Sequence, residues 1–177
     1  MRALRSSRPP AGTATRIVAV DGPGGAGKST LAERLAEALD APVVHTDDFA
    51  SWDEPLDWWP RLRDEVLVPL SRGERARYRK SDWSGSGREE WGEVSPEAFV
   101  VLEGVSASRV AFRPFLAFAI WVETPRELRL ARGLERDGEA MRGQWEAWMA
   151  EEDAYVERER PHERADAVVR GDRELPL

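Results

Sequence analysis

The stretch VAVDGPGGAGKST, residues 18–30, constrains the fold of this chain more than any other. A β-branched run, RIVAV (16–20), breaks into Gly22, Gly24, Gly25 and Gly27 and ends on Lys28 and Ser29. The run reads as a buried strand bounded by glycine. From Lys28 onward, KSTLAERLAEALD sets Leu31, Leu35 and Leu39 at helical spacing with charges opposite. The turn between them fits G-x-x-x-x-G-K-[ST], in the strand-to-helix context that the pattern requires. Glycines let the backbone approach phosphate oxygens and turn successive amide N–H groups inward as an anion nest. The helix adds its positive N-terminal end. The expected nucleotide-binding set is Gly22, Pro23, Gly24, Gly25, Ala26, Gly27, Lys28, Ser29 and Thr30. In this pattern Lys28 reaches the β- and γ-phosphates and the Ser29 hydroxyl joins the Mg²⁺ shell, so ATP and Mg²⁺ are the implied cofactors.

Further along, PVVHT (42–46), AFVVLEG (98–104), AFAIWVE (117–123) and ADAVVRG (165–171) read as strands. Residues 57–72 read as a helix starting near Pro60, and 125–136 and 141–159 as two more. Strands alternating with helices imply parallel βαβ units. The expected fold is a three-layer α/β domain with roughly five parallel strands flanked by helices. Residues 73–95 break the pattern with strand-like pieces around a Gly-Ser turn, expected as a hairpin. The expected organisation is a flexible tail over 1–15 and one domain over 16–177. Within it, 50–95 form an insertion over the sheet edge. Glu103, behind four apolar residues and before Gly104, is the candidate second acid for Mg²⁺.

The balance of charge excludes some partners. A formal net charge of -7 argues against a nucleic-acid partner, whose phosphate backbone needs a basic surface. No segment approaches the length and apolarity of a membrane span, so no membrane partner is expected. The basic N-terminus has no hydrophobic stretch behind it and does not read as a secretory signal. The chain has no cysteine, hence no disulfide or thiolate chemistry, which fits the cytoplasm.

Taken together and in order, GPGGAGKST, HTDDF, RYRKSDW, VVLEG, RGLERDG and ERADAVV resemble the uridine kinase and phosphoribulokinase-like branch of the P-loop kinases. The resemblance spans about residues 16–171 and implies the P-loop NTPase fold. It implies an aspartate after the second strand facing the acceptor hydroxyl; Asp47 in TDDF matches, with Asp48 as the alternative. Such an acid orients the hydroxyl or accepts its proton as the γ-phosphoryl group moves. It also implies a lid over 125–145 whose helix carries arginines, matched by Arg132 and Arg136 in RGLERD, with Arg129 and Arg142 nearby. Those guanidiniums would neutralise charge on the transferring group. Acceptor contacts are implied in the insertion, at Asp53 in DEP, at Asp57, and at Tyr78, Asp82 and Trp83. Five of the eight tryptophans lie between 52 and 91, which suits a stacked base. The position after D-x-F holds Ala50 where the family has an aromatic, and the hairpin lacks the family's histidine.

The expected activity is ATP- and Mg²⁺-dependent transfer of a γ-phosphoryl group to a small-molecule hydroxyl, foremost of a nucleoside such as uridine or cytidine. A kinase of another hydroxylated metabolite, such as a sugar or antibiotic, is the alternative, and a nucleoside monophosphate kinase follows it. A nucleotide-binding switch without an acceptor would have no use for Asp47 or the aromatic insertion. The expected partners are ATP and the acceptor, and homo-oligomerisation stays open.

Overall fold

The computed structural model describes residues 1–51, 56–83 and 85–173. After a short helix α1 (Arg2–Ser6), strand β1 (Arg16–Asp21) runs into the glycine loop and helix α2 (Lys28–Leu39). Strand β2 (Val43–His45) ends in a 3₁₀ turn, Thr46–Asp48. Helices α3 (Trp59–Leu62) and α4 (Val68–Ser71) follow, joined by a π-helical turn, Arg63–Leu67. The hairpin β3 (Ala76–Arg79) and β4 (Trp91–Val94) comes next, then strand β5 (Phe99–Glu103). Beyond it lie β6 (Leu116–Glu123), α5 (Arg126–Asp137), α6 (Arg142–Glu159), α7 (Pro161–Arg164) and β7 (Ala167–Arg170).

The main sheet has the order β2-β5-β1-β6-β7, with every pair parallel. It is the five-stranded α/β architecture expected, with a separate antiparallel hairpin. Alternation along β1 divides the core, because successive strand side chains point to opposite faces. Ile17 and Ala19 pack with Val44, Leu102, Phe112 and the helical segment bearing Leu62, Val66 and Leu70. Val18 and Val20 pack with Leu31 and Leu35 of α2 and with Val101 and Val122. Each such side chain, fully buried, contributes about 1.5–3 kcal/mol. In register, Glu103 at the end of β5 stands between Val20 of β1 and His45 of β2. The tips of three neighbouring strands therefore meet at one edge.

The helix expected over 57–72 runs from Trp59 to Ser71 with a wider turn inside it. Pro69 lacks an N–H and its ring would press on the carbonyl one turn back. A π turn just ahead of it absorbs that misfit. At the N-terminus the chain packs against the domain. Leu4 is 3% exposed and joins the α2 face of the core. Arg5 donates to the Ala38 carbonyl at 2.7 Å, and Arg16 Nε to the Ser7 carbonyl at 3.0 Å. One apolar residue among charges is too short a pattern to announce this in the sequence. Among the described residues no helix is long and apolar enough to cross a membrane.

Candidate active site

The glycine loop joins the buried end of β1 to α2, and its shape is fixed from beneath. Asp21, fully buried, accepts the amides of Gly22, Ser106 and Ser108, the Ser108 hydroxyl and the Tyr155 hydroxyl, at 2.7–3.0 Å. Burial pushes its carboxyl above the ordinary aspartate value despite these donors. Gly25 has φ of +73°, and a Cβ there would lie 2.6 Å from the Arg129 carbonyl oxygen, so only glycine fits under α5. Gly22, Pro23 and Ala26 form the buried back of the loop. Gly24, Gly25, Gly27, Lys28, Ser29 and Thr30 face a cavity of about 1100 Å³.

Lys28 is buried, with its ammonium donating to the Pro23 carbonyl at 3.0 Å. The Ser29 hydroxyl donates to Glu103 Oε1 at 3.3 Å, while Glu103 Oε2 lies 2.8 Å from His45 Nδ1. Burial alone would raise the Glu103 carboxyl. The His45 hydrogen bond, the Lys28 charge and the Ser29 hydroxyl outweigh it and hold Glu103 below the ordinary glutamate value. The hydrogen bond to Glu103 in turn lifts His45 above the ordinary histidine value. Ser29 and Glu103 thus offer two hard oxygens side by side, a donor set that suits Mg²⁺. Among the described residues no cluster of three or more histidines and carboxylates could hold a metal by itself.

The two aspartates of TDDF part ways. Asp47 lines the cavity, opposite the loop. Desolvation by surrounding protein raises its carboxyl above the ordinary value, with Lys28 opposing the shift and Glu103 adding to it. Asp48 is absent from the cavity wall. Its Oδ1 lies 3.2 Å from Lys80 Nζ, and its Oδ2 accepts the Tyr78 hydroxyl at 3.1 Å.

The arginines separate as well. Arg132 and Arg136 line the cavity. Arg132 donates to the carbonyls of Gly25 (3.2 Å) and Gly171 (3.0 Å), and Arg136 makes paired bonds to Asp137 at 2.8 Å. Arg129 lies buried beneath them against Glu152, and Arg142 pairs with Glu139 on the surface.

The acceptor residues expected in the insertion are not brought together. Tyr78 is 4% exposed and stacks on Phe49 at 4.8 Å. It belongs to the core because the alternation of β3 turns Ala76 and Tyr78 inward and Arg77 and Arg79 outward. Asp82 accepts the Ser86 hydroxyl and the Gly87 amide, shaping the hairpin turn. Asp57 is exposed and away from the cavity wall, and Asp53 lies outside the described residues. Among the described residues of the expected set Trp83 alone lines the cavity, its indole donating to the Asp47 carbonyl at 2.9 Å. Across from it stands Trp148, with ring centroids 6.2 Å apart. Met141, Gln144, Trp145 and Trp148 supply the rest of that wall. The sequence reading missed this wall, although Trp145 and Trp148 stand three apart and so share a helix face.

A glycine loop between a central parallel strand and its helix, with Arg132 and Arg136 lining the same cavity, marks a P-loop kinase fold. Residues 18–160 match the family described as an AAA domain, and the chain belongs to that family. Solved structures agree on the fold. A possible uridine kinase from Bacillus stearothermophilus is similar at 23% identity over 88% of this chain and 89% of that one, with a TM-score of 0.65. A protein provisionally assigned as a fructose transport system kinase, from Silicibacter sp. TM1040, is similar at 23% identity over 95% and 96%, with a TM-score of 0.65. TT1252 from Thermus thermophilus follows at 19% identity, covering 88% of each chain, with a TM-score of 0.54. The fold is that of the uridine kinase and phosphoribulokinase-like branch that the motifs resemble. No curated protein matches the chain.

Proposed function

We propose that the protein is an ATP- and Mg²⁺-dependent phosphotransferase acting on a small-molecule hydroxyl, with a nucleoside as the first acceptor to test. The observation that carries this reading is the place of Asp47. Asp47 lines one cavity of about 1100 Å³ with Lys28, Ser29, Glu103 and Arg136, room for a second substrate beside a nucleotide. A nucleotide switch has no need of that acid or that room. In this reading the loop amides and Lys28 hold the phosphates, and Arg132 and Arg136 offset charge spreading onto the γ-phosphoryl group. Ser29 and Glu103 would hold Mg²⁺, which would supply neutralisation of phosphate charge. The acceptor oxygen bonds to the γ-phosphorus as the bond to the β–γ bridging oxygen breaks, and ADP leaves. Asp47 orients the acceptor hydroxyl and takes its proton. Residues 125–145 serve as the lid, and the insertion places Trp83 over the acceptor.

A sugar or another hydroxylated metabolite is the second reading. The burial of Tyr78 favours it, because it takes one group from the set expected around a base. Incubation with Mg-ATP and, separately, nucleosides, their monophosphates and sugars separates the readings, with ADP release and product mass both measured. A phosphorylated nucleoside supports the lead reading, and a phosphorylated sugar the second. ATP binding without any acceptor-dependent product would sink both and leave the switch.

A further inference from the structure

Glu152 on α6 is a carboxylate that the phosphoryl-transfer scheme above does not use. It is 1% exposed, among the most deeply buried groups of the molecule. Its Oε1 accepts two hydrogen bonds, from the Gly24 amide at 2.8 Å and from the Trp148 indole at 2.8 Å. Oε2 faces Arg129 Nη1 at 3.4 Å, and Arg129 is itself held through Nε by the Thr124 carbonyl at 3.1 Å. Gly24 belongs to the phosphate loop, whereas Trp148 lines the same cavity from α6, on the wall that the proposed function gives to the acceptor. One buried oxygen therefore joins the two halves of the candidate site. A Cβ at position 24 would sit 3.0 Å from that oxygen and 3.1 Å from the Trp145 ring, so both neighbours would have to give by a few tenths of an ångström to admit a side chain.

Burying a carboxylate costs several kcal/mol unless charge and hydrogen bonds offset it, and a leucine at this place would pack without that cost. The cost is visible: burial pushes the Glu152 carboxyl above the ordinary glutamate value, against Lys28, the Gly24 amide and Arg129. What the carboxylate offers and a leucine lacks is a fixed acceptor for the loop amide.

We propose that Glu152 is a positioning residue that holds the phosphate loop in its nucleotide-receiving shape and ties that shape to the acceptor wall through Trp148. The inference rests on the nucleotide-binding part of the proposed function. A loop freed at Gly24 must be ordered when nucleotide binds, and that ordering weakens affinity. Loop and acceptor wall share one hydrogen-bond acceptor, so a change on the Trp148 side reaches the nucleotide.

Calorimetric titration of the full-length protein with Mg-ATP tests this, with thermal unfolding run on each variant. Glu152→Ala is expected to bind Mg-ATP about tenfold more weakly, the size of one hydrogen bond to a charged group. Glu152→Gln is expected to recover most of that loss, since its amide oxygen still accepts both N–H groups. Trp148→Phe keeps an aromatic ring and removes the indole donor; it is expected to weaken Mg-ATP about threefold, less than Glu152→Ala because the carboxylate keeps its bond to the Gly24 amide. It also stands in if Glu152→Ala does not fold. Variants that unfold at lower temperature yet bind Mg-ATP as tightly as the wild type would overturn the positioning role. Unchanged binding in Trp148→Phe alone would remove the tie to the acceptor wall. Wild-type protein that does not bind Mg-ATP, or that binds it as well after Lys28→Ala, would overturn the nucleotide site itself and this inference with it.

Discussion

Two adjacent aspartates of the same chemistry are given opposite surroundings. Asp48 is tied to Lys80 and Tyr78, and Asp47 opens on the cavity. Asp47→Asn is therefore expected to lower turnover by about 10²–10⁴-fold, the range for a lost general base, while Mg-ATP still binds. Asp48→Asn is expected to lower thermal stability and leave turnover within a few-fold; a larger loss of turnover than in Asp47→Asn would reverse the assignment. The raised carboxyl of Asp47 also has a consequence for stability. A group whose folded value lies above its unfolded value contributes stability at low pH and loses it as pH rises through the folded value. Asp47 is open to solvent, which screens this effect, so at neutral pH Asp47→Asn is expected to unfold only slightly above the wild type. That difference should shrink as pH falls below the ordinary aspartate range, where both side chains are neutral. A midpoint difference that stays constant between pH 7 and pH 3 would contradict this account.

At the scale of elements, the strands and helices around the phosphate loop were legible because each has a regular period. RIVAV, FVVLE and AIWV are continuous apolar runs of buried parallel strands, and the loop carries its own spacing. The hairpin was misread in part. ARYR alternates, and that alternation decides that Tyr78 packs inward, whatever its hydroxyl could do for a ligand. The aromatic cavity wall was missed because Trp145 and Trp148 lie on α6, a helix in which apolar and charged residues mix around the axis. Nothing in such a pattern says which face meets the loop; the close approach of Trp145 to Gly133 of α5 settles that only in three dimensions. Trp83, the hairpin's one contribution to the wall, is expected to matter for acceptor and not for nucleotide. Trp83→Ala should raise the acceptor KM several-fold, by loss of an aromatic contact of about 1 kcal/mol, with the Mg-ATP affinity unchanged.

For the whole molecule, the order β2-β5-β1-β6-β7 puts the ends of β1, β5 and β2 side by side. Ligands of open α/β sheets bind in the crevice outside those carboxyl ends. Phosphate loop, Glu103 and Asp47 meet there because each follows one of the three strands. The N-terminal helix braces the far end of α2 rather than this crevice, so its loss should cost stability before activity. Leu4→Ala is expected to destabilise the fold by about 2–3 kcal/mol, the lower part of the range for buried leucines, read as a shift in urea midpoint. The central claim is that the loop and Asp47 form one phosphoryl-transfer site. Acceptor-dependent ADP release at saturating Mg-ATP, measured in parallel for wild type and Asp47→Asn, tests it most directly. The account predicts ADP release that rises with acceptor in the wild type and falls to the acceptor-free rate in Asp47→Asn, with Mg-ATP still bound. Equal acceptor-dependent release by both proteins would contradict it.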